Sequence, residues 1–331
     1  MGKAMIRRPL GQSGISIAPL MLGGNVFGWT ADRLATFAIL DRFVDEGYNA
    51  IDTADIYSAW VSGHIGGESE TMLGAWLSAR GRRDRVVIAT KVGGMMGSAD
   101  AGWGRSLRSA YIIRSLEGSL QRLQTDYIDL YQAHADDPET PLDETLEAFD
   151  RLIRAGKVRA VGASHFTPDR IGEAVAVSRA GGLARFDTFQ PRYSLATRCE
   201  FEGSVQARCL ADGIGALCYG TLAKGFLTGA FRTEADVAGS VYAQLLRPHL
   251  TAAGARILRA LDSVAEAHRT PPAAVAIAWV LAQPAVTAAI AAVDTPKQLE
   301  DILGAADLLL TPDEIAMLSA AGNEPAPDQD A

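Results

Sequence analysis

Asp52, Tyr57, Lys91 and His134 bring a carboxylate, a phenol, an ammonium and an imidazole to four points in the first half of the chain, within the segments IDTADIY, ATKVGG and YQAHADDP. Each segment opens on a short apolar run, so each residue stands at or just beyond the end of a candidate strand. Groups of these types exchange protons or stabilise developing charge, and several of them converging on one place make an acid–base centre. Taken singly they prove little, since a lysine at a strand end is usually a salt-bridged surface residue and a lone histidine or tyrosine is usually packing. Polar residues at three different strand ends carry more weight, because burying them there in place of apolar side chains is costly.

The elements that would position such a set recur along the whole chain. Short runs rich in Val, Ile, Leu and Tyr alternate with longer segments of helical period, the pattern of parallel strands joined by helical crossovers. Strands are predicted over 21–23, 50–52, 86–91, 127–132, 158–163, 188–190, 214–219 and 287–291. In the helical segment ETLEAFDRLIRAG, Leu146, Phe149, Leu152 and Ile153 share a face and Gly156 ends the helix. In RSAYIIRSLEGSLQRL, Ile112, Leu116, Leu120 and Leu123 form one stripe. A doubly wound sheet shows the same alternation, but it would carry G-x-G-x-x-G after an early strand, and none is present. The fold class expected is therefore α/β, a (β/α)8 TIM barrel, whose chemistry belongs at the C-terminal ends of its strands.

Two features lie outside the repeat. MIRRPLGQSGISIAPLML has a turn at Gly11 to Gly14 between alternating runs, which predicts a β-hairpin plugging the barrel floor. TPDEIAMLSAAG has a Thr cap, Pro at the first helical position and two acids in the first turn, which predicts a C-terminal helix with a disordered tail over 322–331. One domain over 1–331 with no linker is the expectation.

Composition bounds the partners. With 48% hydrophobic and 21% charged residues the 331-residue chain can bury a large core beneath a charged surface. A net charge of −8 disfavours nucleic acid as a partner. Cys199, Cys209 and Cys218 lack metal-ligand spacing and fit a reducing compartment, the cytoplasm, better than a disulfide framework. The N-terminus lacks the apolar centre of a signal peptide. Residues 271–293 are uncharged for about the length of a membrane span, but Gln283 and Pro284 interrupt them, so a buried helix, a break and a buried strand are expected.

The segments GYNAIDTADIY, ATKVGG, TDYIDLYQAHADDPETPLDETLEAFDRLIRAGKVRAVGASH and LAKGFLTG resemble the aldo-keto reductases, and the likeness runs over essentially the whole chain. The family's catalytic set falls on Asp52, Tyr57, Lys91 and His134. The resemblance implies hydride transfer between a nicotinamide and a carbonyl or alcohol carbon, with Tyr57 as general acid or base. A free phenol titrates near ~10, too high to donate readily at neutrality, and a neighbouring Lys91 ammonium is expected to lower that value. Asp52 would keep Lys91 charged and in place, and His134 would hydrogen-bond the carbonyl oxygen.

The same resemblance implies a cofactor site. Ser164, His165 and Gln190 match the residues that hold the nicotinamide amide, although His165 stands where the family has Asn. Tyr219 matches the aromatic that stacks on the ring. Gly220, Leu222, Lys224 and Gly225 belong to the loop over the pyrophosphate, with Gly220 and Thr221 replacing the usual Ser-Pro. After the last strand, Asp294 and Gln298 occupy the place where many relatives bind the 2′-phosphate of NADPH. Asp294 would repel that phosphate and suits a free ribose hydroxyl, as in NAD sites, with Lys297 near enough to offset it. The cofactor is therefore NADP or NAD, the family favouring NADPH and Asp294 favouring NAD.

Substrate walls are expected from the loops after the strands, with Trp60, Met95 and Trp103 as candidates and His64, Met96 and Tyr242 beside them. The same residues fit equally as packing of long loops. The expected partner is a small carbonyl or alcohol compound, an aldehyde, a ketone or a sugar, with no membrane partner and a monomeric state. Beside a reductase stand an NAD-linked sugar or secondary-alcohol dehydrogenase and a cofactor-binding regulatory subunit without turnover.

Overall fold

The computed structural model describes residues 5–94, 96 and 105–322. A short antiparallel pair, β1 (Arg8–Pro9) and β2 (Ser16–Ile17), precedes eight parallel strands: β3 (Leu20–Gly23), β4 (Ala50–Asp52), β5 (Val87–Val92), β6 (Ile128–Ala133), β7 (Val158–Ser164), β8 (Phe186–Gln190), β9 (Gly215–Cys218) and β10 (Val286–Ala291). They close into a barrel in chain order, β10 pairing with β3. All eight predicted strands are present, none with a boundary moved by more than two residues. Apart from Arg159, the eight strands are buried along their length, because helices cover their outer faces and side chains fill the barrel.

The helices are α1 (Arg33–Asp45), α2 (Glu68–Arg80), α3 (Ser109–Leu123), α4 (Leu142–Arg154), α5 (Pro168–Gly181), α6 (Ser204–Asp212), α7 (Glu234–Val237), α8 (Ala243–Leu246), α9 (Ala252–His268), α10 (Pro272–Leu281), α11 (Pro296–Leu303) and α12 (Pro312–Gly322). The stripe of Ile112, Leu116, Leu120 and Leu123 is buried on α3, as are Leu146, Phe149 and Leu152 on α4. Gly156 closes α4 in the left-handed region, its N–H bonded to the Ile153 carbonyl. At α12 the Thr311 hydroxyl accepts from the Glu314 N–H while the Glu314 carboxylate accepts from the Thr311 N–H, a capping box. Gly322, expected as the start of the tail, is instead the last residue of α12, and 323–331 lie outside the described residues.

Residues 271–293 resolve into α10, a turn at Ala285 with φ 67°, and β10. Among the described residues no helix is long and apolar enough to cross a membrane.

The barrel interior is a layer of Met21, Ala50, Val87, Ala89, Leu130, Ala160, Leu217, Ala288 and Ile290, joined by Leu10, Ile15 and Ile17 from the β1–β2 hairpin. The hairpin is thus a plug, as its alternating pattern predicts. Gly11 makes the seat possible: its φ is +53°, and a Cβ there would lie 2.0 Å from the Asp187 carbonyl oxygen. Opposite the plug, the parallel strands all release their C-terminal ends. Register sets Asp52 beside Ala89, Lys91 beside Gln132 and Ser164 beside Gln190, so polar residues from neighbouring strands meet there.

Candidate active site

Lys91 reaches the barrel mouth from inside β5 and is wholly buried. Its Nζ donates to Asp52 Oδ2 at 2.7 Å, to the Thr53 carbonyl at 2.8 Å and to the Tyr57 hydroxyl at 2.8 Å. Three acceptors satisfy the three protons of an ammonium, which is why the charge is tolerated without water. Burial lowers the Lys91 pKa, opposed by the charge and hydrogen bond of Asp52. Asp52, the last residue of β4, also accepts from Tyr57 at 3.2 Å and from Gln190 Nε2 at 2.8 Å, with Gln132 Nε2 at 3.5 Å.

The structure reverses the expected shift of Tyr57. Burial, then the charge and hydrogen bond of Asp52, hold its pKa well above the ordinary tyrosine value, so the phenol is protonated at neutrality. The carboxylate of Asp52 beside the hydroxyl adds to burial in holding the proton on the phenol. The backbone beside Tyr57 is unusual. Ser58 is buried in the left-handed region at φ 74°, with its hydroxyl lacking a partner among the described residues. Strain of this kind persists where surrounding structure fixes a side chain. Asp55, two residues upstream of Tyr57, is also fully buried; burial, then the charge of Glu70, raises its pKa well above the usual range.

His134 follows β6, its ring 6.0 Å from that of Tyr57. Nδ1 is buried without a partner among the described residues. Burial, and after it Lys91, His165 and Arg105, depress its pKa well below the usual histidine range, so His134 is a neutral imidazole. Asp52, Tyr57, Lys91 and His134, 82 residues apart at their extremes, thus meet at one point.

The residues expected at the nicotinamide gather at the same mouth, with one difference. The Ser164 hydroxyl donates to the Gln190 carbonyl at 2.8 Å and the Gln190 amide nitrogen is bonded to Asp52, so both donors serve the protein's own network. His165 has φ 52°, a left-handed conformation that His adopts more readily than most residues, which explains how it replaces Asn. Its ring lies 6.4 Å from His134 and 5.8 Å from Tyr219, whose hydroxyl is 3.4 Å from His165 Nε2. Burial lowers the His165 pKa as well.

Beyond β9, Gly220 has positive φ, and Leu222 leads into three consecutive left-handed residues, Ala223, Lys224 and Gly225. A turn of this kind with an ammonium on it suits a pyrophosphate. Thr221, in place of the usual proline, donates to the Ile290 carbonyl at 2.9 Å and ties the loop to β10. Past β10, Asp294 accepts from the Thr30 hydroxyl, and its N–H donates to Gln298 Oε1 at 2.6 Å. Lys297 is exposed and bonded to Asp301 at 2.8 Å, so its expected reach toward a phosphate is opposed by an acid on its own helix.

Trp60 stands 6.1 Å from Tyr57 and 5.7 Å from Trp29, which lies 5.7 Å from Tyr242. Trp60 is therefore at the site, in an aromatic row that includes Trp29. Met95 and Trp103 lie outside the described residues. Met96 packs toward Gly66 and Gly67. Sequence reasoning missed Thr30, Gln132, Trp29 and Arg105. A glutamine in the wholly buried strand β6 was the only signal among them.

A closed parallel barrel with proton-exchanging residues on its C-terminal rim defines an enzyme-like (β/α)8 protein. The profile described as the aldo/keto reductase family matches residues 19–323. The chain is similar to the uncharacterized oxidoreductase YrpG of Bacillus subtilis, 36% identical over 94% of each chain. It is also similar to the aldo-keto reductase YhdN of that organism, 33% identical over 87% of this chain and 83% of the relative. A third relative is the norsolorinic acid reductase stcV of Emericella nidulans, 30% identical over 95% of this chain and 80% of the relative. The chain belongs to the aldo/keto reductase family.

Proposed function

We propose that this protein reduces the carbonyl of an aldehyde, ketone or sugar by hydride transfer, with Tyr57 donating the proton. The observation that carries the reading is the buried contact of Lys91 Nζ with both Asp52 and the Tyr57 hydroxyl. A bound nicotinamide supplies the hydride. As negative charge builds on the substrate oxygen, Tyr57 delivers its proton there, and the fixed ammonium of Lys91 stabilises the phenolate left behind. Neutral His134 orients the oxygen through a ring nitrogen, and Asp52 holds Lys91 in register. Gln190, Ser164, His165 and Tyr219 line the nicotinamide end, and the 222–225 turn receives the pyrophosphate.

Tyr57 holds its proton at neutrality, the form that reduction requires, and the Lys91 ammonium at its hydroxyl offsets the weaker acidity that burial imposes. Asp294 and the paired Lys297 favour NADH over NADPH, because an acid in that position repels a 2′-phosphate. The aromatic row of Trp29, Trp60 and Tyr242 favours a substrate with a flat apolar portion. The test is cofactor consumption with a panel of aldehydes, ketones and sugars, each with NADH and with NADPH. Turnover with a larger kcat/KM for NADH supports both parts of the reading. A marked advantage for NADPH removes the role given to Asp294, and no turnover with any compound leaves the regulatory-subunit reading in its place.

A further inference from the structure

The chain carries a net charge of −8, and just after His134 the Asp136 carboxylate is paired with Arg170 while Asp137 accepts from the Leu107 N–H. In the barrel order β6 lies between β5 and β7, so the segments leaving β5 and β7 flank His134 on either side. The first of them carries Arg105. An antiparallel bridge pairs Arg105 with Gly94, and Ser106 N–H bonds the Gly93 carbonyl at 3.0 Å, which fixes this backbone at the exit of β5. Gly93 in turn packs against the backbone of His134 and Ala135. The second segment carries His165, whose left-handed backbone sets its ring 6.4 Å from that of His134.

Arg105 is exposed and makes no ion pair or hydrogen bond with its guanidinium among the described residues. Its charge depresses the pKa of both imidazoles. Lys91, by contrast, is answered by Asp52, and Arg192 by Glu200. The turn suited to the pyrophosphate leaves β9, two strands beyond β7, so the cation at Arg105 is not needed there.

Resting on the carbonyl reduction proposed above, we infer that the substrate carries an anionic group, a carboxylate or a phosphate, held by Arg105 with His165 flanking it while the carbonyl lies at Tyr57 and His134. A guanidinium forks onto either anion through paired N–H donors, and a neutral imidazole adds one further donor.

The test compares kcat/KM within two matched pairs: 4-formylbenzoate against its methyl ester, and glyceraldehyde 3-phosphate against glyceraldehyde. Wild type, Arg105→Gln and Arg105→Glu are each assayed at low and at high salt. The expected result is a preference of about tenfold or more for the anionic member of at least one pair, weakened by salt. It falls toward unity in Arg105→Gln and inverts in Arg105→Glu. Which pair shows it tells carboxylate from phosphate. Equal use of both members in both pairs by wild type, or a preference that survives both substitutions, overturns the inference. If the neutral aldehydes turn over without such a preference, only this inference fails; if none of the four compounds turns over, the carbonyl-reductase reading fails with it.

Discussion

At the scale of single residues, the site is a buried charge made tolerable by its partners. Lys91 and Asp52 neutralise each other at 2.7 Å, and neither is exposed. Removing one partner of such a pair costs about 3–5 kcal/mol, because the other charge stays buried. Lys91→Met is therefore expected to abolish most turnover and to lower stability by that order in urea unfolding. Adding Asp52→Asn should recover much of the stability without recovering turnover. Equal stability of Lys91→Met and wild type would contradict the pairing. The identities of these residues are legible in the sequence because strand-end spacing and residue type coincide. The direction of the Tyr57 shift is not, because it depends on how completely the folded chain buries the phenol and sets it against the Asp52 carboxylate.

At the scale of elements, the eight strands are legible because runs such as VVIATKV and TDYIDLYQA are apolar enough to be buried on both faces. What the pattern does not reveal is how distant loops meet at the mouth. Thr30 and Asp294 are 264 positions apart, and the row of Trp29, Trp60 and Tyr242 draws on segments after β3, β4 and β9. The hairpin is readable as a plug, but its dependence on Gly11 comes from a contact with β8. Gly11→Ala forces a left-handed alanine, about 1–2 kcal/mol from conformation alone, and drives a Cβ into the Asp187 carbonyl. A lower Tm with kcat nearly intact in the folded fraction is expected; an unchanged Tm would show that the plug does not need this turn.

At the scale of the whole molecule, pH acts on the two ends of the barrel differently. Near the plug, burial raises the Asp187 pKa to about 6, opposed by Arg185 and the Gln12 N–H. An unfolded Asp titrates near ~3.9, so the stability that Asp187 contributes as a neutral acid is complete below that value and is lost as pH rises through about 6. Asp187→Asn keeps an acceptor for the Gln12 N–H and should raise Tm by about 2 °C or more at pH 7.5, with the gain shrinking toward pH 4.5. A gain that grows on acidification would contradict the assignment.

At the opposite end, neutral His134 and protonated Tyr57 leave the site in its proton-donating form across the neutral range. The central claim is that Tyr57 delivers the proton, and the most direct measurement is single-turnover consumption of the reduced nicotinamide by Tyr57→Phe, with cofactor affinity measured in parallel by fluorescence titration. The rate should fall by about 10²–10⁴-fold while cofactor affinity stays near that of wild type. A rate close to that of wild type, with the cofactor still bound, would contradict it.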